Sequence, residues 1–130
     1  MHYEGIVSGL DGQAKGLWYA DKDEIYPLLG MAYVFKNRIV IRKDVVDNAE
    51  LYRFLIAHEL YHLNDESLLD GKLTVWTHLK AELRANWYGF KKCPSGFFDA
   101  LLSSLNYDRL KFYYYLFVKR LTVEQALEKF

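Results

Sequence analysis

The spacing of apolar residues changes along this chain, and each change predicts a different kind of element. Short runs of β-branched and aromatic residues at 31–35 and 38–42, separated by the polar pair Lys36-Asn37, predict a β-hairpin. Residues 1–30 are rich in glycine and weakly patterned, which predicts loops with a short helix near Tyr26–Leu29. The hairpin therefore predicts a small antiparallel β-sheet that precedes the helical part of the chain.

Beyond the hairpin, apolar residues recur at intervals of three and four, which predicts helices. A polar break, Asp65-Glu66-Ser67 and Asp70-Gly71-Lys72, separates the first helix from the second. The first predicted helix runs from the cap sequence Asp47-Asn48-Ala49-Glu50 to about Asn64, and the second runs from about Thr74 to Lys91. A third is expected from Ser95 to about Leu105, and a fourth begins at Asp108 and includes Phe112–Phe117. A short terminal helix is expected after the capping box Thr122–Gln125. We expect one α+β domain over residues 1–130, mostly helical.

The first predicted helix carries the sequence His58-Glu59-Leu60-Tyr61-His62. Residues four apart on a helix share one face, so both imidazoles can bind the same metal ion. Glu59 follows the first histidine and can take a proton from a water molecule at that metal. This motif indicates a zinc-type hydrolase.

A catalytic zinc ion usually has three protein ligands, so the two histidines need a third partner. Glu82 is a strong candidate because it lies on the next predicted helix, which can pack against the first. His78 lies one turn before Glu82 on the same face and is either a rival ligand or a helper for the developing oxyanion. The spacing leaves several alternatives open besides Glu82, namely His78, Asp65, Glu66 and Asp70.

Two segments together resemble the ImmA/IrrE family of metallopeptidases. They are Phe54-x-x-Ala57-His58-Glu59-Leu60-Tyr61-His62-Leu63 and Glu82-x-x-Ala85-Asn86-x-Tyr88-Gly89. The preceding hairpin and the segment Leu121–Leu127 also fit, and the likeness covers about residues 30–127. The resemblance implies a zincin-like fold in which Zn²⁺ is held by His58, His62 and Glu82 and Glu59 is the catalytic base.

The same resemblance implies a class of partner. Members of this family commonly cleave or antagonise a helix-turn-helix repressor encoded nearby, often on a phage, a mobile element or a stress-response locus. We therefore expect a zinc-dependent endopeptidase whose substrate is such a repressor. The alternative is a non-catalytic binding module, either a repressor antagonist or a toxin–antitoxin component, that contains zinc without hydrolysing a peptide bond.

The composition of the chain indicates which partners and which cellular compartment to expect. Seventeen basic residues balance seventeen acidic ones, so we expect no direct nucleic-acid binding through a general positive charge. The single cysteine, Cys93, fits a reducing compartment, and we expect neither a signal peptide nor a membrane span, which predicts a cytoplasmic, soluble protein.

Asn86, one turn after Glu82, is expected to orient a metal-binding histidine. The aromatic residues Tyr113–Tyr115 and Phe117 are interpreted as core on one side and partner surface on the other.

Overall fold

A mixed β-sheet and a set of helices make up the computed structural model, which describes residues 1–68, 74–104 and 107–130. The strands are β1 (His2–Ser8), β2 (Ala14–Ala20), β3 (Gly30–Tyr33) and β4 (Arg38–Arg42). The helices are α1 (Lys22–Ile25), α2 (Ala49–Leu63), α3 (Val75–Lys92), α4 (Pro94–Ser104), α5 (Tyr107–Phe117) and α6 (Val123–Leu127). This arrangement confirms the α+β class. The expected break at Asp70-Gly71-Lys72 and the expected helix end at Leu105 lie outside the described residues.

The sheet differs from the small antiparallel sheet that the sequence predicts. Its strand order is β1-β2-β4-β3, and β2 runs parallel to β4 while the other two pairings are antiparallel. The prediction that residues 1–30 form loops is wrong, because β1 and β2 both lie there. Most side chains of the edge strand β1 are exposed, so its sequence carries little of the alternation that indicates a strand.

The predicted hairpin of β3 and β4 is confirmed, with Gly30 opposite Ile41 and Tyr33 opposite Arg38. A short 3₁₀ turn extends the connection beyond the two polar residues. Asn37 closes it in the left-handed backbone region (φ 54°), which asparagine tolerates better than most residues. Because β4 also pairs with β2, β3 lies at an edge of the sheet in the described structure.

From α2 onward, the helix positions agree with the predictions to within a few residues, whereas the short helix expected near Tyr26–Leu29 lies earlier, at Lys22–Ile25. The cap of α2 is Asn48, whose side-chain oxygen accepts a hydrogen bond from the backbone N–H of Leu51 at 3.2 Å, rather than the expected Asp47. Helix α4 begins at Pro94, since proline suits the first turn of a helix, so the expected cap at Ser95 is wrong. The capping box that opens α6 is present, as predicted.

Helix α2 packs against the sheet, and its apolar residues form a core with those of the strands. Phe54 and Leu55 of α2 are almost fully buried against Ile39 and Ile41 of β4. A second apolar cluster joins the sheet to α5 and α6 and includes the fully buried Phe112. Among the described residues, no helix combines the length and the apolar character needed to cross a membrane.

Candidate metal centre

Helix α2 buries the histidine motif because the motif continues its core-facing side. Leu51 and Leu55 are buried, and His58 and His62 follow at intervals of three and four residues, which keeps all four on one side of the helix. The two histidines and Glu59 are only 6–8% exposed. A helix that packs its leucines on the sheet therefore places these polar side chains inside the protein as well.

A stripe of small residues brings α3 close to α2. Ala81 and Ala85 are fully buried, and Gly89 continues the stripe at the same spacing. A Cβ atom at Gly89 would stand 2.5 Å from Cε2 of Phe54 on α2, so a larger residue does not fit there without displacement. This close packing carries the side chain of Glu82 to the histidines.

Three potential ligands converge between α2 and α3. His62 Nε2 lies 2.9 Å from one carboxylate oxygen of Glu82, and His58 Nε2 lies 3.4 Å from the other. The two Nε2 atoms are 3.1 Å apart, and all three ligand atoms lie within 4.8 Å of one another. The expected convergence of His58, His62 and Glu82 is therefore present, and the cluster could hold a metal ion.

The spacing of these atoms fits tetrahedral coordination. Ligands that bind zinc at about 2.0–2.1 Å in a tetrahedron stand roughly 3.3 Å from one another. The observed separations of 2.9, 3.1 and 3.4 Å scatter about that value. Nδ1 of each histidine is buried and has no hydrogen-bond partner among the described residues, which leaves Nε2 as the atom that faces the cluster. Two imidazole nitrogens and a carboxylate are also a usual ligand set for catalytic zinc.

Without a metal, the charges of the cluster depend on one another. Burial disfavours the charged form of Glu82, but hydrogen bonds and attraction from His58 and His62 outweigh it and hold the pKa of Glu82 well below its usual value. Burial likewise opposes a charge on His62, yet its hydrogen bond to Glu82 and the nearby negative charges raise the pKa of His62. Without a bound cation, the cluster therefore favours an ion pair between a protonated His62 and the carboxylate of Glu82.

Glu59 lies beside this cluster without belonging to it. Its nearest carboxylate oxygen is 4.0 Å from His58 Nε2, and its other neighbours include β3, where a Cβ atom at Gly30 would lie 3.4 Å from Glu59 Oε1. Burial raises the pKa of Glu59, as does the charge of Glu82, although both histidines oppose the shift. A buried carboxyl group with a raised pKa can exchange a proton more readily near neutral pH than an exposed one.

A cavity of about 810 Å³ opens against the cluster. Its walls come from β3, α2, α3, α5 and the segment before α6, and His58, Glu59, His62 and Glu82 form part of them. A neighbouring cavity of about 350 Å³ shares several of these residues and continues between α3, α4 and α5. The cluster is thus bordered by space large enough to admit a segment of another chain.

His78 and Asn86 line the cavities beside the site, and neither belongs to the three-residue cluster. His78 lines the larger cavity, and its ring lies 5.3 Å from that of Phe117, but it is outside the three-residue cluster. The described structure gives Asn86 no hydrogen bond to His58 or His62, although Asn86 lines the smaller cavity.

The remaining candidate ligands are engaged elsewhere or are not described. The carboxylate of Asp65 accepts hydrogen bonds from Arg84, at 2.9 Å, and from Ser67. Glu66 lies in a 3₁₀ turn after α2 and is not part of the cluster. Asp70 lies outside the described residues. Of the described alternatives, Glu82 alone joins the two histidines.

Sequence reasoning missed two polar residues that also face the site, Arg109 and Tyr113 of α5. Nη2 of Arg109 lies 3.4 Å from the Tyr113 hydroxyl, while Nε and Nη1 are buried without a partner among the described residues. Burial raises the pKa of Tyr113, and so do the charges of Glu82 and Glu59. Their four-residue spacing on one helix was the available signal, but only the packing of α5 shows that they line the same cavities as His58, Glu59 and Glu82.

Comparisons with protein-family models, curated proteins and solved structures find no match to this chain. The resemblance to the ImmA/IrrE family therefore stays a prediction that rests on the two sequence segments.

Proposed function

We propose that this protein is a zinc-dependent endopeptidase that hydrolyses a peptide bond in a protein partner. The observation that carries the proposal is the position of Glu59, which is buried beside the ligand cluster but outside it. A structural zinc site usually has four protein ligands, whereas the described residues supply three here and a cavity borders them. Three ligands, an adjacent carboxyl group and an accessible space are the requirements of a hydrolytic site.

The mechanism assigns a separate task to each group. His58, His62 and Glu82 would hold the zinc ion, which when bound acidifies a water molecule and polarises the carbonyl group of the substrate. Glu59 accepts a proton from the attacking water and later transfers it to the nitrogen of the leaving amine. Its raised pKa favours this transfer, because the carboxyl group must both gain and lose the proton in each cycle.

Arg109 and Tyr113 of α5 supply hydrogen-bond donors that line the cavities beside the ligand cluster. Negative charge develops on the carbonyl oxygen as water attacks, and donors already in place stabilise it without reorganising. The guanidinium group is permanently charged and has two buried nitrogen atoms without partners among the described residues. We assign to this pair the stabilisation of the oxyanion, for which the sequence offered His78 as a candidate.

Strand β3 offers a path for an extended substrate. Gly30, Met31, Ala32 and Tyr33 all line the larger cavity, and β3 lies at the edge of the sheet. An edge strand can bind a peptide through backbone hydrogen bonds, as an added strand. A peptide paired with β3 passes Glu59, because Gly30 adjoins that side chain.

The resemblance to ImmA/IrrE peptidases supplies the choice of partner. We propose a helix-turn-helix repressor of a phage, mobile element or stress locus as the substrate. In this proposal the peptidase acts on the repressor protein and does not itself bind DNA, in keeping with its net charge of zero.

Replacing Glu59 with glutamine tests the proposal. The amide cannot accept the proton, so Glu59→Gln should keep the metal and the fold while the rate of hydrolysis falls by roughly 10²–10⁴. The assay co-expresses each variant with every helix-turn-helix protein encoded in the same locus and follows the length of that protein by mass spectrometry. Glu50→Gln is the matched control, because Glu50 is exposed on the same helix.

The same experiment separates an enzyme from a binding module. If the protein acts by cutting, Glu59→Gln leaves the repressor intact and repression in place, while Glu50→Gln behaves as the parent. If Glu59→Gln relieves repression as fully as the parent and the repressor remains intact, the endopeptidase proposal is wrong and the zinc-containing antagonist replaces it.

A further inference from the structure

One side of α3 exposes a line of large apolar residues to solvent. Trp76, Leu79, Leu83 and Trp87 recur every three or four residues, so they form a continuous stripe along the helix. Their exposed fractions are 70, 43, 61 and 60%, respectively. Isolated apolar residues are common on protein surfaces, but an extended patch of this kind marks an interaction site.

The stripe continues onto α4 and reaches the cavity beside the metal cluster. Phe90 of α3 contacts Phe98 of α4, with 6.3 Å between ring centres. Leu79 and Leu101 each have an exposed part and also line the smaller cavity. We call this continuous surface the apolar platform, and it consists of Trp76, Leu79, Leu83, Trp87, Phe98, Leu101 and Leu102.

The charge along α3 is unequal on the two sides of the stripe. Glu82 is the only acidic residue in the helix, and it points towards the histidines. At 100° per residue, Lys80 and Lys91 lie on the other side of the stripe, next to the tryptophans. Nζ of Lys91 is 5.7 Å from the ring centre of Trp87. The outer border of the platform is therefore basic.

This charge distribution favours one kind of occupant. A second copy of the chain would place lysines against lysines, because α3 has no outward carboxylate to meet them. A bilayer of anionic lipid generally needs a cluster of four to eight basic residues. Of the four basic residues of α3, Lys80 and Lys91 border the stripe on its outer side. Arg84 already pairs with Asp65 at 2.9 Å, and Lys92 lies on the side of the helix opposite the stripe. A protein segment with apolar residues beside carboxylates complements both features.

We infer that the apolar platform is the docking site for an amphipathic helix of the substrate protein, with carboxylates flanking the apolar face of that helix. Such a helix buries its apolar side chains against the platform and sets its carboxylates against Lys80 and Lys91. The platform leads into the cavity, so the docked protein is held with a neighbouring segment at the metal cluster. This inference rests on the proposed peptidase function in taking the docked protein to be the substrate.

Binding of designed peptides tests the platform directly. The probes are two fluorescein-labelled helical peptides of about 18 residues with the same leucine face, one flanked by glutamates and the other by lysines. Fluorescence anisotropy measures their binding to the zinc-loaded protein carrying Glu59→Gln, which prevents cleavage. The glutamate peptide should bind more tightly, and Lys80→Glu with Lys91→Glu should reverse the preference.

Leu83→Glu should weaken binding of the glutamate peptide about tenfold or more, since it puts a charge at the centre of a buried contact. Ile6→Glu is the matched control, because Ile6 is 66% exposed on the distant strand β1 and its replacement should leave binding unchanged. Far-ultraviolet circular dichroism checks that each variant is folded.

Four results would overturn the inference: equal or absent binding of the two peptides, an unchanged preference after lysine reversal, preferential binding to phosphatidylglycerol vesicles, or a dimer that Leu83→Glu dissociates. Failure of the peptidase proposal looks different. In that case the glutamate peptide still binds at the platform, but the protein without the Glu59 substitution cleaves no partner.

Discussion

The carboxylate of Glu82 on α3 lies 2.9 Å from Nε2 of His62 on α2. This contact joins two helices that are separated in the chain by a polar segment, and it closes a set of three ligands around one point. A metal ion bound there would be coordinated by His62 and by Glu82 at the same time, and it would therefore tie α2 to α3. Metal content, stability and catalysis should consequently respond together when either residue is changed.

Removal of a ligand should remove the metal. We expect one zinc ion per chain in the parent protein, and much less than one in His62→Ala and in Glu82→Gln, because two remaining ligands bind zinc weakly. His78→Ala is the control and should retain the metal, since His78 is outside the cluster. Mass spectrometry of metals in the purified proteins measures the ratio. Equal zinc content in His62→Ala and the parent would refute this assignment.

The stability gained from zinc should increase with pH. Because the pKa of His62 is raised, His62 contributes its full stabilisation to the metal-free fold at pH values below 6.5, the ordinary pKa of histidine. This contribution is lost as the pH rises through the raised pKa. The lowered pKa of Glu82 contributes above its ordinary value of 4.5 and is lost as the pH falls through the lowered pKa. Zinc must displace the proton of His62, so acid weakens zinc binding.

Melting temperatures of zinc-loaded and chelator-treated protein between pH 5 and pH 8 measure this effect. We expect the zinc-loaded form to melt several degrees higher at pH 8, with a smaller difference at pH 5. His62→Ala should show little difference at any pH. A difference that is constant across the range would show that proton release from His62 does not accompany zinc binding.

Arg109→Met and Tyr113→Phe should lower kcat without loss of zinc. Each substitution replaces a donor that faces the cavity with a side chain of similar size. The expected reduction in kcat is about 100- to 1000-fold for arginine and smaller for tyrosine. Steady-state kinetics on the cleaved partner provide the measurement. Tyr114→Phe is the control, because Tyr114 is 46% exposed on the same helix. An unchanged kcat in both variants would exclude Arg109 and Tyr113 from the mechanism.

Gly96→Ala should destabilise the fold through the contact of α4 with α2. A Cβ atom at Gly96 would stand 2.1 Å from the carbonyl oxygen of Glu50 and 2.7 Å from Cβ of Phe54, so the helices must separate. Overpacking of this kind typically costs about 1–3 kcal/mol. Urea denaturation measures the free energy of unfolding, with the exposed Ser95→Ala as control. Equal midpoints for the two variants would contradict the close packing.

The sequence alone determined the features that depend on local spacing. The four-residue interval between His58 and His62 places both on one helical face whatever surrounds them, and the apolar run of α2 turns that face inward. The hairpin of β3 and β4 and the capping box of α6 are equally local, since each follows from residues that are neighbours in the chain.

Tertiary structure decided everything that depends on which elements meet. Spacing left Glu82 among several possible ligands, and the small stripe of Ala81, Ala85 and Gly89 selects it by letting α3 approach α2. The parallel pairing of β2 with β4 joins segments far apart in the chain and has no local signal. Arg109 likewise faces the site only because α5 packs beside it. Contacts between distant segments depend on the packing of the whole domain, which no local pattern encodes.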